Sequence, residues 1–368
     1  MTIQLYIKLI IYTLIAFMAL YYLKACIRKI ENKYLRSFLF VLEVVATLVL
    51  AMLLIAFAPK TIWNHEYLYV ALYMALIPDI LNDIFLFIIS LFRKKKINEK
   101  KYFLIVSVFT LVFFVYSVLN MQMISGKYHE IRSSKLKNEY TLVFFADLHY
   151  GSSQSKDTVD KALDEIGSLK PDMLVLGGDI TDENTTREEM EYLYRKISSL
   201  NIPTYFIYGN HDRQERGDLI GGQKYTEKQL EEAITGNDIK ILYEDYVKIN
   251  DDLIIMGRED PSHPLDRKEV KDLPKTDKDS YFIVIDHTPY QNEDIIELKA
   301  DLQLSGHTHA GQIFPVQTIY RIIGLNTCGD YKVGDTHLYI SPGIAGWYFP
   351  LRSEAHSNYE VFELKPEQ

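Results

Sequence analysis

Five times in the C-terminal two-thirds of this chain, a short apolar run of strand-like composition stops at a polar cluster. Residues 141–146 end at Asp147-Leu148-His149, and 172–176 at Gly177-Gly178-Asp179. Residues 203–208 end at Gly209-Asn210-His211-Asp212, 281–285 at Asp286-His287, and 301–304 at Ser305-Gly306-His307-Thr308-His309. Helical spacing at 156–169 and 187–200 falls between the first three runs. Strand and helix in alternation build parallel α/β sheets, which collect functional groups beyond the carboxyl ends of their strands. The five clusters therefore belong to one composite site. Further strand-like runs at 251–256, 337–340 and 359–364, some of them antiparallel, fit two mixed sheets packed together with helices outside. Residues 258–278 read as a solvated loop with short helical pieces.

The chemistry of the clusters is that of metal ligands. Asp147 and His149, two residues apart on a turn, can face one ion. Asp179 follows a Gly pair that lets backbone come close, and its carboxylate can serve two ions. Asn210 offers a neutral oxygen, and His287, His307 and His309 offer imidazole nitrogens. Such mixed nitrogen and oxygen ligation suits Mn²⁺, Fe or Zn²⁺ better than Mg²⁺ or Ca²⁺. Two cations a few ångströms apart clamp phosphoester oxygens and lower the pKa of water, so the expected reaction is metal-assisted hydrolysis of a phosphate ester or anhydride. His211 is expected to reach the bound phosphate, with the adjacent carboxylate of Asp212 fixing its tautomer.

These blocks, D-x-H, G-D, G-N-H-D, a lone H and G-H-x-H, resemble those of the calcineurin-like metallophosphoesterases. Ser305-Gly306-His307-Thr308-His309-Ala310-Gly311-Gln312 and the later Ser341-Pro342-Gly343-Ile344 resemble their membrane-anchored bacterial branch, with Ala310 where those relatives often carry Gly. The resemblance covers about residues 139–365. It implies a four-layer α/β/β/α sandwich. It also implies that one divalent metal is held by Asp147, His149, Asp179 and His309, and a second by Asp179, Asn210, His287 and His307. His211 and Asp212 are then the catalytic pair.

The first third of the chain differs in kind. Apolar stretches at 3–23, 37–58, 67–92 and 102–119 have the length of membrane spans. The expected organisation is a four-helix transmembrane region at 1–121, a linker at 122–138 and the enzyme domain at 139–368. Basic loops at 24–36 and 93–101 belong in the cytoplasm. The catalytic domain is then extracytoplasmic on a multi-pass cell-membrane protein. Residues 1–121 hold 13 Lys+Arg and 6 Asp+Glu, a net +7; the whole chain is −9, which leaves −16 for 122–368. A domain this acidic is a poor nucleic-acid binder. The expected partner is a phosphorylated, lipid-linked or envelope substrate, with no obligate protein partner evident. Two cysteines, Cys26 and Cys328, give no disulfide framework.

Glu43, Asp79 and Asp83 lie inside the expected spans, either packed in the bundle interior or lining a polar path. Arg352 suits a surface salt bridge or a substrate phosphate, and His263 a loop. Trp347, Tyr348 and Phe349 form an aromatic cluster for the core or for a lipid chain. Two other functions compete with hydrolysis: a scaffold that keeps the fold without the reaction, and a membrane sensor or transporter with an appended phosphoesterase.

Overall fold

The computed structural model describes residues 99–215, 222–347 and 350–367, with short pieces between 16 and 80. The chain divides into two compact units, Met1–Tyr116 and Ser117–Gln368.

The second unit is built on two six-stranded sheets. The first holds β1 (Ile124–Ser133), β2 (Tyr140–Phe145), β3 (Met173–Leu176), β4 (Thr204–Phe206), β5 (Ile239–Ile241) and β12 (Ser357–Pro366), in the order β1-β12-β2-β3-β4-β5. The second holds β6 (Asp245–Asn250), β7 (Leu253–Gly257), β8 (Tyr281–Ile285), β9 (Leu302–Ser305), β10 (Gly329–Val333) and β11 (Thr336–Ile340), in the order β10-β11-β9-β8-β7-β6. β2 to β5 run parallel, as do β7, β8, β9 and β11. β12 is antiparallel to β2 and parallel to β1. β1 lies within the stretch expected to be a linker and pairs with β12 along its whole length, Ile124 opposite Ser357 and Ser133 opposite Pro366.

Period-two alternation sorts the side chains into layers. Leu142 and Phe144 of β2, Val175 of β3, Ile255 of β7, Ile283 of β8, Leu304 of β9 and Phe362 of β12 meet in the core between the sheets. Val143, Phe145, Leu174, Leu176 and Phe206 point the other way. They pack on α2 (Lys156–Leu169), α3 (Arg187–Ser198) and α4 (Glu227–Thr235) through Leu163, Ile166, Leu193, Ile197, Leu230 and Ile234. On the far face of the second sheet, Leu338 and Ile340 pack against Ile295 of α5 (Asn292–Leu298). The layers are α/β/β/α, as the resemblance implies. Helix starts follow local chemistry. Ser155 caps α2 by accepting from Thr158 N, and Thr186 and Glu189 form a capping box on α3.

The expectation of four membrane-crossing helices is corrected. Among the described residues, no helix is long and apolar enough to cross a membrane. The stretches at 3–23, 37–58 and 67–92 fall largely outside those residues. The fourth, 102–119, lies within α1 (Glu99–Gln122). Near the end of α1, Ser117 and Asn120 are fully buried in protein contacts. Ser117 O accepts from Arg352 N at 3.0 Å, and Asn120 Nδ2 donates to the carbonyls of Arg352, Glu354 and Ala355 at 3.0, 3.2 and 3.3 Å. Apolar composition there suggested lipid contact, whereas the last turns hold a loop. The multi-pass location and the extracytoplasmic domain, which depended on the spans, fall with them.

Within the first unit, Lys24 Nζ lies 2.5 Å from Asp79 and 3.7 Å from Glu43, all three buried. Glu43 and Asp79 thus share a cation that the sequence pattern did not single out; Asp83 lies outside the described residues. Residues 258–278 also depart from a solvated loop. Arg258, Glu259 and Asp260 are buried, and only Val270–Asp272 makes a short helical turn.

Candidate metal centre

The site forms where the carboxyl ends of β2, β3, β4, β8 and β9 converge. The loops after β2 and β3 are knitted together by backbone. Asp147 N donates to Gly178 O and His149 N to Asp179 O, both at 3.0 Å. Gly178 (φ +88°) is obligatory, because a Cβ there would lie 2.7 Å from both Gly209 N and His287 Nδ1. Both carboxylate oxygens of Asp147 accept from His307 N at 3.0 Å, which ties the loop after β9 to the loop after β2.

Two groups of donor atoms result. Asp147, His149 and His309 present ligand atoms within 4.8 Å of one another, as do Asp179, His287 and His307. Asn210 Oδ1 stands 2.8 Å from His307 Nδ1, placing it with the second group. Asp179 faces both groups: its Oδ2 is 3.1 Å from His287 Nε2 and 3.7 Å from His149 Nε2. All seven residues expected as ligands come together.

The donor set suits cations. His149 Nε2 and His309 Nε2 face each other at 3.2 Å, where at most one can donate a proton. His287 Nδ1 donates to Gly177 O at 2.9 Å, which turns its buried Nε2 toward Asp179 Oδ2, 3.1 Å away. Metal-ligating imidazoles are held this way through their other nitrogen. Burial, aided by the charge of His287, lowers His307 to about 4. Burial, aided by His149, pushes His309 well down. Both shifts favour the neutral ring that binds metal, whereas at His287 burial is outweighed by Asp179 and Asp147, which raise it. Burial pushes the Asp147 carboxyl up to about 6. Burial also opposes ionisation of Asp179, but His287 and His211 hold it well below the usual range.

His211 lies beside the two groups, its ring centroid 5.4 Å from that of His149. Its Nδ1 is 2.9 Å from both carboxylate oxygens of Glu183. Burial works against the charged ring, yet Asp179 and Glu183 raise it to about 9. Trp347 also lies beside it, ring centroids 5.2 Å apart and planes tilted by 35°.

The family model for calcineurin-like phosphoesterases matches residues 140–311. Metallophosphoesterase YkuE of Bacillus subtilis, named as uncharacterized, is 30% identical over 67% of this chain and 87% of its own length. The chain belongs to the calcineurin-like metallophosphoesterases. An uncharacterized metallophosphoesterase of Helicobacter pylori is 32% identical over 63% of this chain, which spans 61% of that protein. A Danio rerio protein named as a transmembrane protein with metallophosphoesterase domain is 27% identical over 62% of this chain, which spans 54% of it. The two His/Asp groups of this family member match the family's dinuclear divalent centre.

Several parts of this site escaped sequence reasoning. The Asp212 carboxylate makes no hydrogen bond to the His211 ring among the described residues. It is fully occupied by backbone, accepting from Asp179 N (2.8 Å), Ile180 N (2.9 Å), Thr181 N (3.0 Å) and Gly209 N (2.7 Å). It shapes the loops after β3 and β4, and the carboxylate at His211 Nδ1 is that of Glu183. A neighbour in sequence was mistaken for a neighbour in space: Glu183 lies 28 residues from His211. Asp182 Oδ2 stands 3.3 Å from His149 Nδ1. Arg267 grips Asp286 with two nitrogens, at 3.1 and 2.7 Å, and thereby fixes the strand end that presents His287. Arg352 is neither a surface residue nor a phosphate ligand. It is completely buried and donates to the carbonyls of Pro342, Ala345 and His356, clamping the loop beneath Asp147. His263 is a loop residue as expected, 2.8 Å from Glu215.

Proposed function

We propose that this chain hydrolyses phosphoester or pyrophosphate bonds with two divalent cations. One would be held by Asp147, His149, Asp179 and His309, the other by Asp179, Asn210, His287 and His307. The observation that carries this reading is the position of Asp179, one carboxylate facing His149 on one side and His287 on the other. A bound pair of such ions supplies charge neutralisation at phosphoryl oxygens and lowers the pKa of water. The remaining work falls to the protein. His211 enters charged and gives its Nε2 proton to the departing oxygen, while Glu183 holds Nδ1 and so fixes the ring. Gly209 and Gly178 bring backbone close enough to keep the loops from widening.

The substrate we propose is a lipid-linked or envelope phosphate compound. Two features support it. Trp347 beside His211 and Tyr290 beside His307, ring centroids 5.2 and 6.4 Å away, give the site apolar flanks. The net −16 of residues 122–368 disfavours nucleic acid. The test is hydrolysis of bis(p-nitrophenyl) phosphate by the full chain with Mn²⁺. Turnover should fall by about 10³-fold or more in Asp179→Asn. Equal rates in the two proteins would defeat the proposal.

A further inference from the structure

We infer that Trp347 is a specificity residue that receives the leaving group, and that the substrate departs with a flat, π-bearing group on the scissile oxygen. The inference rests on the proposed role of His211 as donor to that oxygen. The indole of Trp347 stands beside the imidazole, ring centroids 5.2 Å apart and planes tilted by 35°, within reach of a group bonded to the oxygen that His211 would protonate. An indole face attracts aromatic rings by offset stacking in addition to apolar burial.

Trp347 is registered against the metal centre rather than left on a free loop. Its backbone N donates to Gln312 Oε1 at 3.0 Å. Gln312 N in turn donates to the carbonyl of the ligand His309 at 2.8 Å, and Gln312 Nε2 donates to Leu351 O at 3.0 Å. Ser153 Oγ donates to Gly346 O. A Cβ at Gly346 would lie 2.5 Å from Met121 Cε and 2.7 Å from Gln312 Nε2, so the backbone entering Trp347 runs through a fitted slot. These bonds set the indole at a fixed height over the site, as a recognition surface requires.

The test compares the full-length Mn²⁺-loaded protein with Trp347→Ala and Trp347→Phe on two phosphodiesters. One has an aryl leaving group and the other a fluoroalkyl leaving group of matched acidity. In Trp347→Ala, kcat/KM for the aryl ester should drop by about tenfold or more while the alkyl ester stays within about twofold. Trp347→Phe should recover most of the aryl rate. Equal losses on both esters would mean that the indole merely props His211, and no loss on either would remove the residue from recognition; both overturn the inference. A second readout is independent of turnover. With Trp63→Phe, Trp347 is the remaining tryptophan, and its fluorescence should be quenched by phenylphosphonate but not by methylphosphonate. Selective quenching without hydrolysis of either ester would sink the proposed reaction and keep the stacking site. Unselective or absent quenching would sink the stacking site.

Discussion

Asp147, His149, Asp179, His307 and His309 all sit in left-handed backbone, with φ between 43° and 70°. Non-glycine residues pay about 1–2 kcal/mol for that conformation, and such strain collects at functional sites. It is the cost of turning five side chains inward from strand ends. Ala310 (φ 51°) pays it too, yet offers no ligand atom. Ala310→Gly should therefore stabilise the protein by about 0.5–1 kcal/mol, less than the full strain because glycine also loosens the unfolded chain; urea unfolding measures it. The pairing of His211 gives a sharper prediction. Glu183→Gln should lower kcat by about tenfold or more with little change in melting temperature, since the ring loses its charged partner but not its place. Asp212→Ala should instead cost about 3 kcal/mol or more, because four buried amides lose their acceptor. Calorimetry beside kinetics separates the two. The ligands were legible in sequence because each ends a strand and carries a metal-binding atom. Glu183 was not, because only the folded loop brings it across 28 residues to His211.

Elements were legible where one face is apolar and one polar, or where both faces are buried over several residues. β2, β3, β8, α2 and α3 stand close to where periodicity put them. β1 alternates between exposed and half-buried positions and owes its existence to pairing with β12, so its sequence carries little signal. α1 shows the opposite failure, an apolar stretch whose last turns serve protein rather than lipid. The corner between β1 and β2 depends on Asp252 from the β6–β7 turn. It accepts from Lys137 N (2.6 Å), Asn138 N (2.9 Å) and the Tyr140 hydroxyl. Burial opposes its charge, yet these donors hold the Asp252 carboxyl below the usual range. A depressed carboxyl stabilises the fold above its unfolded value, about 3.9, and the contribution is lost as pH falls through the folded value. Asp252→Ala should accordingly cost about 2–3 kcal/mol at pH 7. The gap to the native chain should narrow as unfolding is followed into acid below that point.

At the scale of the whole catalytic unit, residues 122–368 carry net charge −16, and several of those carboxylates crowd one end of the two sheets. Cations that bind the folded form alone must stabilise it in proportion to their concentration. Mn²⁺ at about a hundred times its Kd should add about 2.7 kcal/mol, a rise in melting temperature of roughly 5–10 °C for a domain of this size. Chelator should reverse the rise, and Asp179→Asn should abolish it; differential scanning calorimetry reads all three. The parallel seam of β1 and β12 has a mechanical meaning as well. The seam opens at Ile124 on β1 and closes at Pro366 on β12, at opposite extremes of the pairing. Tension between the two would load every rung at once, in shear, instead of unzipping them one by one. The sheet is thus girded along its outer border against a pull applied between Ile124 and Pro366.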